Sequence, residues 1–169
     1  EDLAGWFESE LSAQVLFLVR HPIAVAMSHW RIPRFPHYFS NEDFARKFND
    51  KEKQVFSDAL ERGDPFEMAI ENWCIQNKFR CQPQLPDTWT RVSYEEIVMR
   101  GKHLLAELGR RLSLETHAIE QKGLLKASKT VRPKANDTRQ LIEADDPASK
   151  AKLISRWRQN VTQDQEELA

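Results

Sequence analysis

The sequence is poor in the residues that several common chemistries need. Five glycines in 169 residues leave no material for a Gly-rich phosphate loop, and none is present. Two cysteines, Cys74 and Cys81, exclude a disulfide framework. In a helical segment their spacing sets them on one face, about 10 Å apart along the axis and too far to bridge. Neither CxxC nor HExxH occurs, and the five histidines lack metal spacing, so no metal is expected. Charge of neither sign dominates: 25 Lys+Arg face 26 Asp+Glu, which argues against a non-specific nucleic-acid binder. No apolar run approaches the roughly 20 residues that cross a bilayer. No signal-peptide pattern follows Glu1. With free thiols, these absences point to the cytoplasm.

What is present can build a core. Hydrophobic residues make up 40%, and five Trp with nine Phe exclude wholesale disorder. Leu3, Trp6, Phe7 and Leu11 have helical spacing, so residues 2–11 are expected to form an amphipathic helix. The chain thus opens inside a helical pattern and not on Met, as expected for part of a longer polypeptide. Val15 to Val19 (VLFLV) is short, continuous and β-branched at its ends, which predicts a strand buried on both faces. Pro22 suits the first helical position, and the helix is expected to run to about Trp30.

Residues 31–41, with two prolines and three aromatics, are expected to be an ordered loop. Ser40 with Asp43 resembles a capping box before a helix over 42–48. A second helix over 51–61 closes at Arg62-Gly63-Asp64. Asp64-Pro65 with Glu67 opens a third, running to about Cys81. Phe66, Ala69, Ile70, Trp73 and Asn77 mark one face of it, and both thiols are expected in the core. Residues 82–88 are a turn and Trp89–Tyr94 alternate as a second strand. Leu104, Leu105, Leu108 and Leu112 form a helical stripe, and 121–146 read as a long loop. Asp146-Pro147 opens a helix to about Arg158, and Thr162 with Gln165 caps a short last one. No repeat or domain boundary is visible, so residues 1–169 are taken as one domain. Two strands cannot form a two-sided sheet alone. The expected fold is α/β: a parallel sheet flanked by helices, helix-rich and completed by a strand from upstream.

The chemistry concentrates in VLFLVRHPIAVAMSHW. Arg20 stands at the carboxyl end of a strand, where open α/β sheets hold ligands. A helix follows at once, and its free N–H groups favour an anion. Ser28, further along that helix, adds a hydroxyl donor to the Arg20 fork. Arg at a strand end also serves as an ion-pair partner or simply meets water. His21, beside Arg20, invites a catalytic role, but it is expected to be a strand-end or helix-start residue. Trp30, Phe35, Tyr38 and Phe39 suit either an acceptor pocket or packing over the core. Lys122, Lys126, Lys129, Arg132 and Lys134 form a basic run in an otherwise neutral chain.

The string VRHPIAVAMS resembles the 3′-phosphate-binding segment of sulfotransferases that use 3′-phosphoadenosine-5′-phosphosulfate (PAPS). There a strand ends in Arg, and a Ser lies eight residues later, as Arg20 and Ser28 do. Val92-Ser93-Tyr94-Glu95-Glu96-Ile97 resembles the family's v-x-YE-x-L segment, which implies that Tyr94 lies near the adenine. Trp73 and the LLAELGRRLSL helix also fall where the family carries similar residues. KASKTVRPKANDTR resembles the loop closing on the cofactor phosphates in bacterial members, which implies anion contacts for Ser128, Thr130 and Arg132. ISRWRQNVTQDQEEL resembles the family's terminal helices.

The resemblance covers most of the chain in order and implies the family's P-loop-NTPase-like fold. The family's PKSGTTW-like loop, which wraps the 5′-phosphosulfate, does not occur here. The general base normally lies upstream of the Arg-bearing strand. The residues before Arg20 contain no His, and Glu8 and Glu10 sit on a helical pattern. The catalytic residues therefore stay unassigned. The resemblance implies a chain holding the 3′-phosphate and adenine half of a PAPS site, with PAP as product and no metal. Its acceptor would be a small molecule, glycan or peptide. Two alternatives stay open: a degenerate, non-catalytic binding or scaffold module, and an unrelated phosphate-binding α/β protein.

Overall fold

The structure is a computed structural model, and it describes residues 2–29, 39, 41–113 and 146–168. In chain order the elements are α1 (Asp2–Leu11), β1 (Val15–Val19), α2 (Pro22–His29), α3 (Glu42–Ala45), α4 (Asp50–Arg62) and α5 (Pro65–Asn77). They continue with β2 (Trp89–Ser93), α6 (Tyr94–Arg111), α7 (Pro147–Ile154), a 3₁₀ helix (Arg156–Asn160) and α8 (Gln163–Glu167). The protein is helix-rich around a small parallel sheet, which places it in the general α/β class. Among the described residues no helix is long and apolar enough to cross a membrane. The chain divides into two compact units: Glu1–Val19 with Pro86–Arg156, and Arg20–Leu85 with Trp157–Ala169.

In the first unit β1 and β2 run parallel, in register from Val15 opposite Trp89 to Val19 opposite Ser93. Val92 is buried against Leu104, Leu108 and Ile97, so the leucine stripe of α6 covers β2 as its spacing predicts. The expectation that β1 is buried on both faces is corrected. Leu16 and Leu18 share a sheet face with Thr90 and Val92, and Leu18 is 63% exposed. The stripe shields the β2 half of that face and leaves the β1 half open. On the other face Phe17 meets Trp89 edge to face, ring centres 4.9 Å apart. Helix α1 forms over the expected residues, yet Trp6, Phe7 and Leu11 are exposed. It is fastened by Glu8, which accepts hydrogen bonds from Thr88 Oγ1 and, at 2.7 Å, from Trp89 Nε1.

The second strand ends at Ser93, not at Tyr94. Ser93 Oγ accepts from Glu96 N–H at 3.0 Å, and the Glu96 carboxylate accepts from Ser93 N–H at 2.9 Å. This reciprocal cap makes Tyr94 the first residue of α6. Gly101 breaks the helical path with φ +43° and ψ −114°. Just before the break, the Met99 carbonyl accepts from Lys150 Nζ of α7 at 3.5 Å.

In the second unit α2 packs on α5 through Ile23, Ala26, Phe66 and Ile70, with Met27, Ala69, Trp157 and Val161 around them. The opposite side of α5 turns Ile75 toward Phe48 and Phe56, packed with Phe39, Phe44, Met68 and Phe79. The α5 face expected from the sequence is buried at Phe66, Ile70 and Asn77, and Ile75 gives the helix a second buried face. Asp64 accepts from the N–H groups of Phe66 and Glu67, both at 2.8 Å, as the Asp-Pro start predicts. Gly63 closes α4 at φ +67°, a left-handed conformation that suits glycine.

Several boundaries differ from expectation. The cap of α3 is Asn41, whose Oδ1 accepts from Phe44 N–H at 3.1 Å, and Ser40 lies outside the described residues. Helix α3 stops at Ala45 and not near 48, because a new cap, Asn49 with Glu52, starts α4 four residues later. Helix α5 stops at Asn77, short of Cys81. Beyond it Lys78 Nζ meets the Glu52 carboxylate at 2.6 Å and the Lys47 carbonyl at 3.1 Å. The same ammonium lies 4.7 Å from the Phe48 ring centre. Helix α7 ends at Ile154, where Ser155 Oγ donates to the Ala151 carbonyl, and a 3₁₀ helix takes the chain past Arg158. Thr162 and Gln165 form the expected capping box.

The α4–α5 pair carries an unfavourable charge arrangement. Burial raises the Glu71 carboxyl above its usual range, and nearby Glu67 adds to the rise while Arg62 opposes it. Glu67 itself is held by Arg62 Nε at 2.9 Å. The native state thus binds the Glu71 proton more tightly than the unfolded chain does. Stability from this residue falls as pH rises through the raised value and is fully restored below about 4. Glu71→Gln is expected to stabilise the protein by a few tenths of a kcal/mol at pH 7 after solvent screening. The gain should vanish below about pH 4, as read from urea midpoints across pH.

The two cysteines are free, and both are exposed rather than in the core as expected. Partial burial of the Cys74 sulfur, with Glu71 and Cys81 nearby, pushes that thiol up to about 11. Its thiolate fraction at pH 8 is then on the order of one in a thousand. Brief iodoacetamide treatment at pH 8 should label Cys81 first. Equal labelling in peptide mass spectra would contradict that surrounding of Cys74.

Candidate functional site

The site candidates begin where β1 ends. Val19 is level with Ser93 of β2, so the two strands finish together. In sequence Arg20 follows the first strand and Tyr94 the second. Arg20 and Ser28 belong to one compact unit and Tyr94 to the other.

Helix α2 starts as its sequence dictates. Pro22 has a fixed φ and no N–H to lose, and the first helical bond runs from Val25 N–H to the His21 carbonyl at 3.1 Å. The N–H groups of Ile23 and Ala24 precede that bond, at the positive end of the helix. Both side chains are buried, and Ile23 packs with Phe66 and Ile70 of α5, which holds this end of α2 in place. Arg20 lies two residues before the helix and is exposed. Its guanidinium offers the planar fork of donors that suits a phosphate.

Ser28 is exposed in the last turn of α2, and its Oγ donates to the Val25 carbonyl at 2.8 Å. That hydroxyl must rotate away to donate to a ligand. Pro22 and Ser28 are separated by about 9 Å of helix at ~1.5 Å per residue. The structure thus sets Arg20 and Ser28 at the two ends of one short helix. A shared anion requires the long Arg20 side chain to reach along it.

His21 stands just before α2, as expected of a helix-start residue. Its ring stacks on Trp157, with centres 4.4 Å apart and an interplanar angle of 23°. The far side chain of this stack is tied down as well, since Arg158 lies 5.2 Å from the Trp157 ring centre and pairs with Glu166 at 3.1 Å. The turn that carries Arg20 is therefore braced by the C-terminal segment. Sequence reasoning missed this contact. Its only sign was an aromatic residue between two arginines, Arg156-Trp157-Arg158.

Tyr94 is half-buried at the start of α6, and the Ser93–Glu96 capping box fixes the backbone on which it stands. Ser128, Thr130 and Arg132 lie outside the described residues, as do Trp30, Phe35, Tyr38 and the lysines of the basic run. Phe39 is described, and its rings with Phe44, Phe48 and Phe56 show the packing role. Glu8 is committed to Thr88 and Trp89, which is a structural use of that carboxylate. No group of three or more His, Cys, Asp or Glu able to hold a metal ion occurs among the described residues.

No family model, curated protein or solved structure matches this chain.

Proposed function

We propose that the chain is the 3′-phosphate- and adenine-binding part of a PAPS-dependent sulfotransferase. The observation that carries the reading is the order strand, Arg20, Pro22-started helix, Ser28. It places an exposed arginine two residues before the N–H end of α2. The parallel partner strand leading straight into a capped helix at Tyr94 supports it. The P-loop-NTPase-like fold is part of the same proposal.

Arg20 and Ser28 would hold the 3′-phosphate, and Tyr94 would lie against the adenine. Ser128, Thr130 and Arg132 would add anion contacts. PAPS supplies an activated sulfuryl group for transfer to a hydroxyl or amine acceptor. The residues named here bind and orient, and that remote binding energy positions the reacting centre. Proton removal from the acceptor and charge stabilisation at the bridging oxygen need groups from outside this set. Binding without transfer is thus expected of the chain alone.

Nucleotide discrimination tests the proposal. Adenosine 3′,5′-bisphosphate should bind at least about tenfold more tightly than adenosine 5′-phosphate, because charge-assisted bonds to the 3′-phosphate are each worth about 1.5–3 kcal/mol. Equal affinities would remove the 3′-phosphate site from the account.

A further inference from the structure

We propose that Ser113 is a phosphorylation site for an arginine-directed protein kinase. Arg110-Arg111-Leu112-Ser113 places two guanidinium groups three and two positions before a hydroxyl. An enzyme that chooses its acceptor by basic neighbours reads such groups with carboxylates in its cleft. Arg110, Arg111 and Ser113 are all exposed. The acid one turn before Arg111 is Glu107, and its carboxylate is already held by Arg100 at 2.5 Å.

The backbone at this point is also suited to release. Leu112 caps α6, and its N–H points to the Leu108 and Arg110 carbonyls. Ser113 follows at φ +51°, a left-handed conformation disfavoured by its Cβ. Its N–H reaches the Arg110 carbonyl at a long 3.3 Å. A kinase takes its acceptor in an extended segment. Opening this last turn breaks the cap bonds, relieves the left-handed residue and costs little, since helix ends fray most easily.

The transfer is a phosphoryl substitution with ATP as donor. Ser113 Oγ forms a bond to the γ-phosphorus, the bond from that phosphorus to the ADP oxygen breaks, and the hydroxyl proton passes to the kinase's carboxylate base. The product dianion sits at the negative end of α6, which opposes it, beside Arg110 and Arg111, which favour it.

The test incubates the full chain with Mg-ATP and the catalytic subunit of an arginine-directed Ser/Thr kinase. One phosphate per chain, mapped to Ser113 by fragment mass spectrometry, is expected. Ser113→Gly removes the hydroxyl yet suits the positive φ, so it should stay folded and lose the label. Arg110→Gln with Arg111→Gln should lower kcat/KM by about tenfold or more. The proposal is overturned by any of three results. One is no label on folded chain when an Arg-Arg-Leu-Ser peptide is labelled. The others are label only elsewhere, or label at Ser113 that ignores the arginine substitutions.

Discussion

Phe56→Ala is expected to destabilise the protein by about 3–5 kcal/mol. Phe56 is 4% exposed and packs with Phe48 and Ile75 in the cluster between α4 and α5. Its ring meets Phe39 edge to face, centres 4.6 Å apart at 87°. Truncation removes the buried ring, leaves a cavity and deletes an aromatic pair worth about 0.5–1.5 kcal/mol beyond its area. Helix α3 buries none of its four side chains fully, and Phe44 packs it against this cluster. The loss should therefore appear in urea unfolding and in faster amide exchange over α3. Val55→Ala, on the 41% exposed side of the same helix, should stay within about 0.5 kcal/mol. A Phe56→Ala loss below about 1 kcal/mol would mean that the aromatic cluster is not close-packed.

Gly101→Ala is expected to cost about 1–3 kcal/mol, and its sign is the informative part. In a regular helix the same change stabilises by about 1 kcal/mol, because alanine loses less backbone entropy. Gly101 instead has φ +43° and ψ −114°, inside a helix that runs from Tyr94 to Arg111. A Cβ built there meets nothing within 4 Å, so the cost is that of the backbone conformation and not of a clash. Thermal and urea unfolding of the variant decide the matter. Destabilisation supports the break in α6, and stabilisation would show a continuous helix.

Much of the fold was legible where local chemistry is self-contained. Asp64-Pro65, Asp146-Pro147 and Thr162 with Gln165 start helices because their side chains satisfy N–H groups within three residues. VLFLV and WTRVS form strands because β-branched and aromatic side chains fit a pleated surface. What depends on distant partners was not legible. The run VLFLV does not reveal that α6 shields only β2, which leaves Leu16 and Leu18 in solvent. Nothing local in a helical pattern shows that the helix carrying Cys74 stops at Asn77, with Lys78 held by Glu52 from 26 residues earlier. Gly101 gave no warning, since the leucine stripe resumes directly after it.

The candidate site divides in the same way. Arg20 at the end of a strand and Pro22 at the start of a helix follow from sequence alone. The strand assignment of Tyr94 failed because Ser93, read as a β-prone residue, caps α6 instead. The hydroxyl of Ser28 is turned to Val25, a backbone bond that spacing along a helix cannot show. The His21–Trp157 stack joins residues 136 positions apart in sequence (157 less 21), and no periodicity links them.

The central claim is that Arg20 anchors a 3′-phosphate. Calorimetric titration of the chain with adenosine 3′,5′-bisphosphate tests it most directly, with Arg20→Ala and Arg46→Ala in parallel. Arg46 is exposed and paired with Glu42 and Asp43 on α3, which makes it a matched loss of surface charge. The account predicts saturable binding that Arg20→Ala weakens about tenfold or more and Arg46→Ala leaves unchanged. Equal affinity of the Arg20→Ala chain, or no heat of binding from a folded wild-type chain, would contradict it.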